Sequence, residues 1–95
     1  HEAFAAQVLA TLNAWDDPDY NRDVLGRDTS LGPIDPQKLN IKGSSLAYGH
    51  PFAATGARIL ALTAKLLHTT ERQRALISVC TAGGMGVAAL IERAE

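Results

Sequence analysis

Residues 49–86 read GHPFAATGARILALTAKLLHTTERQRALISVCTAGGMG. Two patterns follow one another in this stretch. Across 53–69, Ile59, Leu62, Thr63 and Leu66 share one face at helical spacing, and Leu60, Ala64 and Leu67 widen it. That spacing predicts an amphipathic helix. His68 falls in its last turn, where a cation suits the helix dipole. Residues 75–80, ALISVC, are short, apolar and partly β-branched, which predicts a buried-type strand. The glycine-rich turn after it, and the Gly-His-Pro corner before the helix, bracket the two elements.

Upstream, residues 39–48 (LNIKGSSLAY) predict a short strand around Leu39–Ile41 and an extended stretch around Ser45–Tyr48, broken at Gly43 and Gly49. Residues 16–38 hold three of the four prolines and most of the acids. They predict a long connection with one short helical turn near Asn21–Leu25. Residues 2–14 predict a helix, with Phe4, Val8 and Leu12 at four-residue spacing, ended by Asp16-Asp17-Pro18. Downstream, composition alone leaves VAALIERA open between strand and helix.

The chain has 95 residues, the size of one small domain. Apolar residues are 46% and charged residues 20%, which is ordinary for a folded domain. Nine Lys and Arg against ten Asp and Glu leave a net charge near −1, with no basic excess to hold nucleic acid. No apolar run approaches the ~20 residues of a membrane helix. A single Cys excludes an intrachain disulfide and fits a reducing, cytoplasmic setting. The chain opens at His1, directly into helix-like sequence, and is expected to be a piece of a longer protein.

Several motifs fail on spacing. Gly84-Met85-Gly86-Val87-Ala88-Ala89 matches G-x-G-x-x-A, but a dinucleotide fold needs a following helix, a second strand and a later acid. Gly49 to Gly56 has six residues between and Arg58 beyond, not the four and Lys of a phosphate loop. His1, His50 and Cys80 lack any short metal-ligand spacing, so no metal is expected.

Two segments carry chemistry. Gly49-His50-Pro51 presents His50 from a rigid corner before a helix, where a neutral ring can accept a proton. Cys80-Thr81-Ala82-Gly83-Gly84 ends a strand where bare backbone N–H groups can face a thiolate or an oxyanion. Read alone, His50 serves equally as a turn-packing residue, whereas Cys80 reads first as an inert buried thiol.

The order HEAFA, then GHPFAATGAR, then CTAGG-x-G resembles the C-terminal end of a thiolase and covers nearly the whole chain. Within that family the chain is most similar to the branch of the fatty-acid oxidation trifunctional-complex β-subunit. The resemblance implies an α/β fold: a partial C-terminal half, with strands of a mixed sheet and two flanking helices. It also settles VAALIERA as strand, with antiparallel strands near 75–81 and 86–93 and another strand near 39–48.

The implied activity is that of an acetyl-CoA C-acyltransferase of fatty-acid β-oxidation. Cys80 matches the acid/base cysteine. His50 matches the histidine that activates the nucleophile and lines an oxyanion site. No residue matches the nucleophile itself, so the 95-residue piece alone is expected to be inactive. His1 stands where many thiolases have Asn and helps organise the oxyanion site. Ala82 and Gly83 offer backbone N–H groups to a second such site. Phe4 is expected near the acyl or pantetheine path. Ala82 and Ala53 replace glycines common in the family.

Acyl-CoA and CoA are the implied substrates, with no further cofactor. A homo-oligomer and a hydratase/dehydrogenase subunit are the implied partners. An acetoacetyl-CoA thiolase and a non-catalytic binding module are the competing readings.

Overall fold

The computed structural model describes residues 1–94. They fall into two compact units: Glu2–Leu46, and His1 together with the chain from Ala47 onward. In chain order the elements are α1 (Ala5–Asp16), α2 (Pro18–Asp23), a 3-10 turn at Pro36–Lys38, α3 (Ser45–Tyr48), α4 (Thr55–Thr69), β1 (Arg74–Thr81) and β2 (Met85–Glu92). The architecture is α/β, as expected. The sheet among the described residues is a two-stranded antiparallel hairpin.

In the first unit, α1 occupies 5–16 rather than 2–14, and its side chains Val8, Leu12 and Trp15 are half-buried. Pro18 does end it, but the same residue opens α2. Asp17 takes an extended conformation (φ −74°, ψ 115°), and its carboxylate accepts the N–H groups of Asp19 and Tyr20 at 2.8 and 3.4 Å. An Asp N-cap followed by Pro at the first helical position is a strong start signal. The helical turn expected at Asn21–Leu25 therefore lies earlier, at Pro18–Asp23.

The strand expected near 39–48 is absent. Asn40 and Gly43 both adopt left-handed backbone, at φ 45° and 78°, and the Gly43 N–H closes a turn on the Asn40 carbonyl at 2.7 Å. That turn removes the extended conformation a ladder needs. The stretch Ser45–Tyr48 is helical, not extended.

In the second unit, α4 begins at Thr55 rather than residue 53. The N–H groups of Ala54 and Thr55 both donate to the Pro51 carbonyl, at 3.1 and 3.2 Å, which makes 52–54 a turn. Ala53 sits in that turn at φ 66°. The apolar stripe is where the spacing places it. Thr63 and Leu67 are buried and Ile59, Leu62 and Leu66 half-buried, while Leu60 and Ala64 stay exposed.

VAALIERA supplies most of β2, as the family resemblance implies. The register pairs Leu76 with Leu90, Ser78 with Ala88 and Cys80 with Gly86. Ala82-Gly83-Gly84 form the connection, with Gly83 and Gly84 at φ 81° and 74°. Left-handed backbone at both glycines closes the hairpin without a Cβ clash. β1 differs from the buried-type strand expected of it. Ala75, Ile77 and Val79 are half-buried, whereas Leu76, Ser78 and Cys80 are exposed. Successive side chains point to opposite faces, and the half-buried set belongs to the face on which α4 packs. No described helix is long and apolar enough to cross a membrane.

Candidate functional site

His50 is reached through a sharp corner. Gly49 is at φ 86°, and a Cβ there would meet nothing, so the backbone conformation rather than crowding calls for glycine. The segment before it is tied to α4: the Arg58 guanidinium lies 5.5 Å from the centre of the Tyr48 ring, within cation–π range. The ring of His50 is exposed, yet it is not loose. Its Nδ1 lies 2.7 Å from the Thr55 hydroxyl, and Thr55 is 1% exposed at the start of α4. On its other sides the ring meets His1, at 4.2 Å between centroids, and Phe52, at 4.9 Å.

His1 joins this corner to the sheet. Its main-chain nitrogen donates to the Ser78 carbonyl on β1 at 2.8 Å, across 77 positions of sequence. Ser78 is two residues from Cys80 on the same strand face, a distance of about 6.6 Å along a strand. One residue thus contacts His50 through its ring and the Cys80 strand through its backbone. Cys80 is a free, exposed thiol. It borders a shallow, open depression lined by Ser78, Val79, Gly86, Val87 and Ala88. In this chain Cys80 is therefore not a buried thiol.

The remaining sequence-derived candidates fall as follows. Ala82 and Gly83 lie in the hairpin connection just past Cys80. Ala82 is not among the residues with positive φ, so alanine carries no backbone strain there. Phe4 belongs to the other unit and is 69% exposed. Among the described residues no group of three His, Cys, Asp or Glu side chains is placed to hold a metal.

Motif reading misses Thr55. Its signal is positional: it follows His50 by five residues and opens a helix whose first turn folds back on Pro51. A hydroxyl in that position faces the corner and not solvent. The site therefore offers an imidazole oriented at one nitrogen and a second imidazole against it. An accessible thiol sits on the adjoining strand, next to a glycine turn rich in backbone N–H groups. Such a set suits proton transfer and stabilisation of a developing oxyanion.

Residues 1–93 match the family model described as thiolase, C-terminal domain. Proteins carrying the name 3-ketoacyl-CoA thiolase are similar over 92 residues, 97% of this chain. The one from Aeromonas salmonicida (strain A449) is 49% identical. Those from Colwellia psychrerythraea (strain 34H) and Escherichia coli (strain 55989) are each 47% identical. In each case the match covers 21% of the relative, so the chain spans about a fifth of the length of these proteins.

Proposed function

This chain belongs to the thiolase family, within its C-terminal domain, and on that premise we propose that the whole protein is a 3-ketoacyl-CoA thiolase of fatty-acid β-oxidation. The observation that carries the reading is His1, which contacts the His50 ring and the strand of Cys80 at once.

In the proposed reaction, a cysteine thiolate outside this chain attacks the 3-keto carbon of the acyl-CoA. The bond between C2 and C3 breaks, the acyl group stays on that cysteine, and acetyl-CoA leaves as its enolate. Cys80 gives its proton to the enolate carbon and becomes a thiolate. It then takes the thiol proton of an incoming CoA, whose sulfur accepts the acyl group. The shortened acyl-CoA leaves, and both cysteines return to their starting states. His50 takes the nucleophile's proton at the outset, returns it when the acyl group departs to CoA, and lines the thioester oxyanion site with His1. The backbone N–H groups around Ala82 and Gly83 serve the second oxyanion. On the resemblance alone, Phe4 is assigned to the acyl or pantetheine path.

CoA and acyl-CoA are substrates in this scheme, and no further cofactor is required. A cytoplasmic homo-oligomer working with a hydratase/dehydrogenase subunit is the setting that the family branch supports. The 95-residue piece alone carries no turnover, since the reacting nucleophile lies elsewhere.

The test is thiolysis of 3-ketoacyl-CoA substrates of several chain lengths by the intact protein, read as acetyl-CoA released. Cys80→Ser is expected to lower kcat about 10²–10⁴-fold, the usual contribution of a general acid/base. A hydroxyl cannot supply the anion that a thiol does. Acylation of the enzyme should survive better than the full cycle. Near-normal turnover in that variant would sink the assignment of Cys80. Activity confined to acetoacetyl-CoA would favour the biosynthetic reading.

A further inference from the structure

Two contacts converge on the Thr55 hydroxyl, and it has one proton to give. Its oxygen lies 2.7 Å from His50 Nδ1 and 3.3 Å from the Pro51 carbonyl oxygen. A carbonyl can only accept. Both contacts are hydrogen bonds in one arrangement alone: the hydroxyl donates to Pro51, and His50 Nδ1–H donates to the hydroxyl. From this we infer that Thr55 is a positioning residue that acts through His50, holding its ring as the Nδ1–H tautomer so that the lone pair on Nε2 faces the open site.

The inference rests on the reading of His50 as the base that takes the nucleophile's proton, and it gives that reading a mechanism. In a neutral imidazole one nitrogen donates and the other accepts, and the partner of one fixes the role of the other. With Nδ1 committed to Thr55, Nε2 can accept a proton without any rearrangement. Once it has done so, Nε2–H is a donor at the place where oxyanion charge develops, and the Nδ1–H bond to Thr55 is unchanged. One fixed geometry thus serves both duties of His50.

The surroundings support a held ring. Thr55 is 1% exposed, so its hydroxyl is screened from bulk water. The Pro51 carbonyl is fixed in turn by the N–H groups of Ala54 and Thr55. His1 and Phe52 flank the ring and limit its rotation. The chain of bonds runs His50 to Thr55 to Pro51. The order base, orienting group, fixed acceptor is the logic by which a third residue sets the tautomer of a catalytic histidine.

The experiment uses the intact protein, labelled with ¹⁵N in histidine, with the His50 signals assigned by their loss in His50→Asn. With the ring neutral, wild-type protein is expected to show a protonated Nδ1 and an unprotonated Nε2. Thr55→Val should shift the population towards the Nε2–H form and lower kcat about tenfold, the scale of one lost orienting hydrogen bond. KM for CoA should stay within about twofold, and Thr55→Ser should restore kcat to within about threefold. A wild-type ring protonated on Nε2 overturns the inference, and so does full kcat in a folded Thr55→Val. If Thr55→Val does not fold, the wild-type tautomer and the Thr55→Ser kinetics still decide it. Undiminished thiolysis in His50→Asn would sink the role of His50 as base, and the ¹⁵N spectrum would still report whether Thr55 fixes the ring.

Discussion

Removing the Asn21 side chain should open the connection between α2 and the 3-10 turn. Asn21 is 0% exposed, and its amide is the junction of its unit. Nδ2 lies 3.2, 3.0 and 2.7 Å from the carbonyls of Ala14, Trp15 and Asp17, so two protons serve three acceptors. The first two are among the last carbonyls of α1, which have no partner within their own helix. Oδ1 accepts the Leu31 N–H at 3.1 Å, and the Asn21 carbonyl accepts the Arg27 N–H at 2.9 Å. One side chain therefore caps α1 and ties down the loop ten residues on.

Asn21→Ala removes two donated protons and one acceptor. At about 1 kcal/mol for each net hydrogen bond, and more for any group left buried and unpaired, the loss is about 2–4 kcal/mol. If it falls on local opening, the open population rises about 30- to 700-fold, since 1.4 kcal/mol is tenfold. Trypsin cleavage after the exposed Arg27 in the intact protein reads that population while reclosing outpaces cutting. A change of less than threefold would refute the claim that Asn21 holds the loop.

Asn21→Asp adds a check on sign. A carboxylate facing those carbonyls is repelled and desolvated, so its folded pKa rises above the usual value near 3.9. The penalty should be smallest below that pH and should grow as pH rises through the folded pKa. Equal cleavage rates at pH 4 and pH 8, after correction for trypsin's own activity, would contradict it.

Two further outcomes follow from left-handed backbone. Ala53, at φ 66°, carries about 1–2 kcal/mol of strain that glycine avoids, offset by about 0.4–1 kcal/mol of unfolded-chain entropy. Ala53→Gly should therefore stabilise by about 0.5–1 kcal/mol, and a lower denaturation midpoint would refute this. Glu71, at φ 56°, follows the C-cap Thr70 of α4, where glycine is favoured. Glu71→Gly should raise the urea midpoint by a similar amount without changing activity.

What the sequence makes legible follows the range of the forces involved. α4 is legible because its stripe repeats over four turns of helix, and Thr63 and Leu67 are buried where the spacing puts them. α2 is misplaced when Pro18 is taken only as a stop, although Asp17 before it is a start signal for the next helix. Ser45–Tyr48 holds too few residues for any period to show. The contact of His1 with His50 is not local at all, and only the order of motifs hints at it. The tautomer of His50 is out of reach of sequence because it depends on a hydroxyl and a carbonyl meeting at the turn before α4.

β1 shows where composition and structure address different objects. Its run ALISVC is apolar at nearly every position, the pattern of a strand covered on both faces. In this chain α4 packs against one face only. On the other, Leu76 and Leu90 stand opposite each other, 61% and 67% exposed, on the face that also carries Ser78 and Cys80. Paired leucines left in water gain nothing for this chain, since the stabilisation of an apolar side chain comes from removing its surface from solvent. The buried-type reading therefore fails for the chain by itself, and it fails on the face that bears the Cys80 thiol. Relatives at 47–49% identity are matched over only 21% of their length, so these exposures belong to about a fifth of such a protein. The accessibility of Cys80 is accordingly a property of the strand alternation, which puts the thiol and Ser78 on one side and the half-buried Ile77 and Val79 on the other. Shifting the β1–β2 register by one residue would exchange those sides, and this dependence ties the position of the Cys80 thiol to the hairpin connection at Ala82-Gly83-Gly84.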